Sequence, residues 1–222
     1  MIPVKICGIT NLEDAQAAIR SGASALGFIF YDKSPRYIPT DTAFQIAKFV
    51  HGKISLVGVF VDETLDNVNG IAKKIGLNFI QLHGNEPPQY CQEVLLPVIK
   101  VFRVSSDFNA GIINSYNVHA FLFDTYSKDK LGGTGSVFNW DKIRNLQIDT
   151  SLILSGGLSS SNIVDGIDAV CPSAVDVNSG VESKPGIKDE KKMISLFEIL
   201  KNAQSLNNPF EIPVIQRDSY EL

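Results

Sequence analysis

Along the 222-residue chain, short apolar runs alternate with longer stretches in which apolar residues recur every three or four positions. The short runs are Val4–Cys7, Ala25–Phe30, Ile54–Val61, Phe79–Leu82, Val98–Phe102, Ala120–Asp124, Ser151–Ser155 and Ala174–Val177. They are apolar almost throughout, the pattern of parallel strands covered on both faces. Between them the period becomes that of an amphipathic helix. Leu12, Ala15 and Ile19 share a face behind Thr10 and Glu13, which have capping-box spacing. Leu65, Val68, Ala72 and Ile75 repeat the pattern, as do Met193, Leu196, Phe197 and Leu200. Alternation of this kind builds βαβ units and a parallel sheet. Eight such units predict an α/β fold, a single (β/α)8 TIM barrel over residues 1–205, with a doubly wound open sheet as the alternative.

Two connections are too long and glycine-rich to be mere links: "TYSKDKLGGTGSVFNW" after the sixth run and "NSGVESKPG" after the eighth. Long loops in a compact domain are commonly lids or binding loops. The tail, 206–222, is mixed in character and holds two prolines, so it is expected to be irregular or docked on the surface.

Composition narrows the classes of partner. A net charge of −4 gives no electrostatic basis for nucleic acid and argues against anionic membranes. A small anionic ligand needs only a local positive site. Three cysteines (Cys7, Cys91, Cys171) do not make a disulfide framework, which points to a reducing compartment. The first strand begins too near Met1 for a signal peptide, and no apolar run approaches the roughly 18 residues of a membrane span. A cytoplasmic protein is expected, of open oligomeric state.

In a parallel barrel the functional face is the C-terminal end of the strands. Cys7, His83, Asp124 and Asp176 stand there, with Arg36 in the loop after the second strand. Alternation gives Leu122 and Asp124 one direction and Ala174 and Asp176 another, so both aspartates can point into the mouth. Free cysteines are usually core fillers, the reading assigned to Cys91 and Cys171. Cys7 differs because it directly precedes a glycine and a helix start, where backbone N–H groups lower a thiol's pKa. Asp124 ends "AFLFD"; it is either a cap or a carboxyl whose apolar surroundings keep it a proton donor. A thiolate and a protonated acid in one site form a base–acid pair. Gly156 and Gly157 follow the seventh strand, and Ser179 and Gly180 the eighth. Barrels bind phosphate with these two loops, although glycines also serve plain tight turns. Arg36 is a surface residue unless its loop folds over the mouth, where it offers a planar fork to a carboxylate. His83 reads as a hydrogen-bonded rim histidine, and with three histidines in all no metal site is expected. Lys5, on the same side as Cys7, reads as an interior lysine paired with an acid.

The stretches "VKICGIT", "GFIFYDKSPRYI", "VGVFVDE", "IQLHGNE", "FLFDT", "GGTGSVFNW", "LSGGL" and "VDVNSGVE" together resemble the phosphoribosylanthranilate isomerase family of tryptophan biosynthesis. They follow the family's order from about residue 3 to residue 200. The resemblance implies an Amadori rearrangement of a phosphorylated aminosugar, without cofactor or metal. It implies Asp124 as general acid, Cys7 as general base, and Arg36 as the group holding the anthranilate carboxylate. Asp176 would lie near the bridging amine, His83 with the substrate, and Gly156, Gly157, Ser179 and Gly180 at the phosphate. Gly133, Thr134 and Gly135 match a mobile cover loop. Asn139 replaces the family's aspartate but still suits a helix N-cap, and the tail has no counterpart. Two other readings remain. One is the related aminoaldose isomerase of histidine biosynthesis, which carries aspartate in place of Cys7 and needs two phosphate sites. The other is a silent sugar-phosphate-binding barrel, against which Cys7 and Asp124 both speak.

Overall fold

The computed structural model describes residues 1–105, 108–124, 140–144, 146, 148–202 and 208–211, and within it each apolar run becomes a strand. These are β1 (Val4–Cys7), β2 (Ala25–Ile29), β3 (Ser55–Phe60), β4 (Phe79–Leu82), β5 (Val98–Arg103), β6 (Ala120–Asp124), β7 (Ser151–Ser155) and β8 (Ala174–Val177). All pair in parallel with their sequence neighbours, and β1 closes the ring on β8. The open-sheet alternative is thereby excluded. Helices α1 (Leu12–Ser21), α2 (Thr40–Val50), α3 (Leu65–Ile75), α4 (Pro88–Glu93), α5 (Asp141–Arg144), α6 (Ile163–Val170) and α7 (Glu190–Ile199) connect them. After β5 the connection carries a 3-10 helix, Ala110–Ser115, instead of an α-helix. A short hairpin, β9 (Glu182–Lys184) and β10 (Ile187–Lys188), follows β8.

α1 does not start with the Thr10–Glu13 box. Asn11 is the N-cap, its side-chain oxygen accepting the Asp14 N–H at 2.8 Å. The Thr10 hydroxyl instead donates to the carbonyl of Gly186 beyond β8, so it is unavailable to the helix. Cys91 is buried in α4, as a core filler should be. Cys171 is exposed, contrary to that expectation. It sits at the C-cap of α6 with φ +51°, one position past Val170, where the left-handed backbone leaves the core behind.

Strand side chains alternate between two apolar layers. Ile6, Phe28, Phe60, Ile80, Phe123 and Val175 face the helices. Ala25, Val57, Phe79, Ile99, Leu122, Ile153 and Ala174 fill the barrel. Phe210, from the tail, joins this inner layer and is only 2 % exposed. Its ring meets Phe79 edge-on at 6.5 Å, Ser55 Oγ donates to its carbonyl at 2.7 Å, and a ring nitrogen of His119 lies 2.7 Å from the Pro209 carbonyl. Ser55 and Phe79 begin their strands, so residues 208–211 close the end opposite the strand C-termini. The rest of the tail, together with Gly133, Thr134, Gly135 and Asn139, lies outside the described residues. Among the described residues, no helix is long and apolar enough to cross a membrane.

Candidate active site

At the C-terminal end of the strands, the chain leaves β1 by a sharp turn. Gly8 adopts φ +74°, and the N–H groups of Gly8 and Ile9 both donate to the Gly27 carbonyl at 3.0 Å. A side chain on Gly8 would meet the Asn178 amide oxygen at 2.8 Å and the Arg36 stem at 3.0 Å. Glycine therefore lets the loops after β2 and β8 close around Cys7. The result is a cavity of about 330 Å³, floored by Ile29, Val59 and Gln81. Cys7, Arg36, His83, Asp124, Asp176, Gly156, Gly157 and Ser179 all border it. Gly180 lies just behind, where a methyl group would collide with the Leu158 carbonyl oxygen. The loops after β7 and β8 thus pack backbone against backbone. A second cavity of about 340 Å³ lies near Phe210, and none of the sequence-predicted site residues borders it.

Cys7 is 4 % exposed. Burial pushes its thiol pKa up; the charges of Lys5 and Lys188 oppose this, Asp176 adds to it, and the net shift is upward. Asp124, at the end of β6, is partly exposed, and its Oδ2 lies 3.6 Å from His83 Nε2. Lys5 pairs with an acid as expected, its Nζ 2.8 Å from Asp176 Oδ1.

Arg36 is held in a fork by a residue that sequence reasoning missed. Its Nε donates to both Glu182 oxygens at 2.9 and 3.1 Å, and its Nη2 donates to Oε2 at 2.8 Å. Lys188 Nζ completes the array, 3.0 Å from Glu182 Oε1 and 3.0 Å from Asn178 Oδ1. Burial alone would raise the Glu182 pKa, but the Arg36 and Lys188 contacts outweigh it and hold the carboxyl below its ordinary range. Glu182 and Lys188 are brought together by the β9–β10 hairpin, for which the sequence carries no spacing signal. Gln81 was also missed. It is 1 % exposed, and its Oε1 has no hydrogen-bond partner among the described residues. Buried polar atoms are nearly always partnered, so an orphan on a cavity floor signals a ligand. The signal was legible, since Gln81 shares a direction with His83 in an otherwise apolar strand.

The site thus sets a buried thiol, a carboxyl and a pre-oriented guanidinium around one cavity, beside glycine loops suited to an anion. A family model for N-(5'phosphoribosyl)anthranilate (PRA) isomerase matches residues 4–199. The chain belongs to this family. The isomerase of Geobacter sp. (strain M21) is 45 % identical over 193 residues, covering 87 % of this chain and 95 % of the relative. The crystal structure of phosphoribosyl anthranilate isomerase from Thermotoga maritima is 40 % identical with a TM-score of 0.81, covering 90 % of this chain and 99 % of that one. Another family structure, solved with reduced 1-(o-carboxyphenylamino)-1-deoxyribulose 5-phosphate, is 38 % identical with a TM-score of 0.76 over the same 90 % and 99 %.

Proposed function

We propose that this protein converts N-(5-phosphoribosyl)anthranilate into 1-(2-carboxyphenylamino)-1-deoxy-D-ribulose 5-phosphate, the Amadori step of tryptophan biosynthesis. The observation that carries the reading is the placement of Cys7, Asp124 and Arg36 around one cavity in a chain of this family.

Asp124 gives its proton to the ring oxygen as the C1–O bond breaks and the amine lone pair forms the C1=N iminium. Cys7, as thiolate, takes the proton from C2. That bond's electron pair forms C1=C2, and the iminium pair returns to nitrogen. The enolamine then shifts its hydroxyl proton towards C1 and becomes the ketone. Each acid–base assistance is worth about 10²–10⁴-fold. Arg36 binds the anthranilate carboxylate, and its Nη1 makes no hydrogen bond among the described residues. Asp176 faces the bridging amine, while Gln81 and His83 hold sugar hydroxyls. The loops of Gly156, Gly157, Ser179 and Gly180 receive the phosphate through backbone N–H groups.

The test is turnover by the purified protein, followed by the fluorescence of the anthranilate moiety. A catalytic fluorescence change matched by ketose formation is expected. Binding without conversion would reduce the protein to a silent sugar-phosphate module.

A further inference from the structure

Beneath Cys7 lies a charged pair that the proposed chemistry leaves unused on its cationic side. Lys5 precedes Cys7 by two residues on β1, is wholly shielded from solvent, and holds its ammonium 2.8 Å from Asp176 Oδ1. Apolar residues of similar volume stabilise a fold as well as or better than a buried ion pair. The register partners of Lys5 are Ala25, one of the apolar residues that fill the barrel, and Asp176 itself. With Asp176 present the lysine neutralises a buried acid, but folding alone gives no reason for setting that pair against Cys7.

Its surroundings do. Lys5 is in register with Ala25, and Cys7 with Gly27. Gly27 is not at a turn; its missing side chain is occupied space. A methyl group there would lie 2.8 Å from Cys7 Sγ and 3.1 Å from Lys5 Cε. The thiol and the end of the lysine therefore fold into one hollow over Gly27. The charged groups around Cys7 are Lys5 on its own strand, Asp176 on β8, Lys188 on β10 and Arg36 after β2. β2 itself presents none, and Asp124 and His83 border the same cavity from β6 and the end of β4. Arg36 and Lys188 are both engaged by Glu182.

The geometry points to Lys5 as a positioning residue for the reaction. Its buried ammonium, oriented by Asp176 and given room by Gly27, is the counter-ion that lets Cys7 reach the thiolate form in a dry site. The inference rests on Cys7 acting as the base. Burial raises the thiol's pKa, and Lys5 is the largest influence in the opposite direction. Burial likewise works against the lysine's own charge, but Asp176 and Cys7 outweigh it and Lys5 stays protonated. Lys5 exchanges no proton; the thiol's proton leaves through the cavity, and the thiolate later takes the one from C2.

The experiment compares wild type with Lys5→Met. Carboxamidomethylation of Cys7 by iodoacetamide is timed against pH, with peptide mass spectrometry separating it from Cys91 and Cys171, and kcat/KM is measured over the same range. In folded Lys5→Met protein the alkylation midpoint is expected to rise by about one unit or more, a tenfold loss of thiolate at neutral pH. The acid limb of kcat/KM should move with it, so alkaline pH restores part of the activity. An unmoved midpoint, with activity lost equally at every pH, would make Lys5 purely structural. If Lys5→Met does not fold, Asp176→Asn is compared with Lys5→Met/Asp176→Asn, in which no acid is left unpaired. The same rise on removing the lysine is expected, and its absence overturns the inference. Near-normal turnover by Cys7→Ala would remove the base role while leaving the alkylation comparison intact, so the two failures are distinguishable.

Discussion

Phe210→Ala separates the barrel's two ends, one built for stability and the other for chemistry. Phe210 is almost fully buried against Phe79 and the inner layer. An aromatic side chain buries about 150–250 Å². At about 25 cal/mol per Å² that is worth roughly 4–6 kcal/mol, an upper bound because the unfolded chain already buries part of it. Core Phe→Ala changes cost about 3–5 kcal/mol. Undocking of residues 208–211 would, however, spare the barrel an empty cavity. Ser55 and His119 would then exchange their carbonyl partners for water, a loss of about 1 kcal/mol each. We expect about 3 kcal/mol overall, a fall in Tm of about 6–12 °C for a chain of this length. Thermal denaturation by calorimetry or circular dichroism reads it, with kcat/KM measured alongside. Because the cavity of Cys7 lies at the other end, kcat/KM should stay within about twofold. A melt within about 2 °C of the parent would show that the tail does not seal the barrel, and a tenfold loss of kcat/KM in folded protein would show that the two ends are coupled.

Three further perturbations have defined outcomes. Glu182→Gln should raise KM about tenfold with a smaller change in kcat, by loosening Arg36. Because the folded-state pKa of Glu182 is depressed, its stabilising effect is present above about pH 4.3, the ordinary glutamate value, and is lost as pH falls through the folded value; urea melts should show the gap between wild type and Glu182→Gln constant from pH 6 to 8 and closing on acidification. Gly180→Ala pushes a methyl group into the Leu158 carbonyl, so competition by inorganic phosphate should weaken about tenfold or more and stability should drop by about 1–3 kcal/mol. Gln81→Met removes a buried orphan acceptor that costs about 1–3 kcal/mol, so stability should hold or rise while kcat/KM falls about tenfold; a large drop in Tm would mean that the amide is structural.

The barrel was legible because parallel strands covered on both faces must be apolar throughout, and few other architectures accommodate eight such runs separated by amphipathic helices. Cys7 and Asp124, which end their runs, and Asp176, one residue before the end of its run, were legible for a related reason. A polar residue closing an apolar run stands where the strand meets the mouth. The Thr10–Glu13 box was misread because a cap is decided by competition, and the Gly186 carbonyl, far away in sequence, captures the Thr10 hydroxyl. Cys171 was misread because one step past the last helical residue reverses the side chain's surroundings. Glu182, Lys188 and Phe210 could not be read at all. Glu182 meets Arg36 and Phe210 meets Ser55 across long sequence separations, Lys188 meets Glu182 only once the hairpin has formed, and nothing in a local pattern marks a carboxylate as the holder of an arginine or a tail phenylalanine as the stopper of a barrel.

The central claim, that Cys7 and Asp124 carry the proton transfers, is tested most directly by single-turnover conversion of N-(5-phosphoribosyl)anthranilate by wild type, Cys7→Ala and Asp124→Asn, with affinity for the reduced product analogue measured on each. The account predicts that each variant loses about 10²-fold or more in rate, in line with the loss of one acid–base group, while analogue affinity stays within about threefold. A folded Cys7→Ala or Asp124→Asn protein turning over within tenfold of wild type would contradict it.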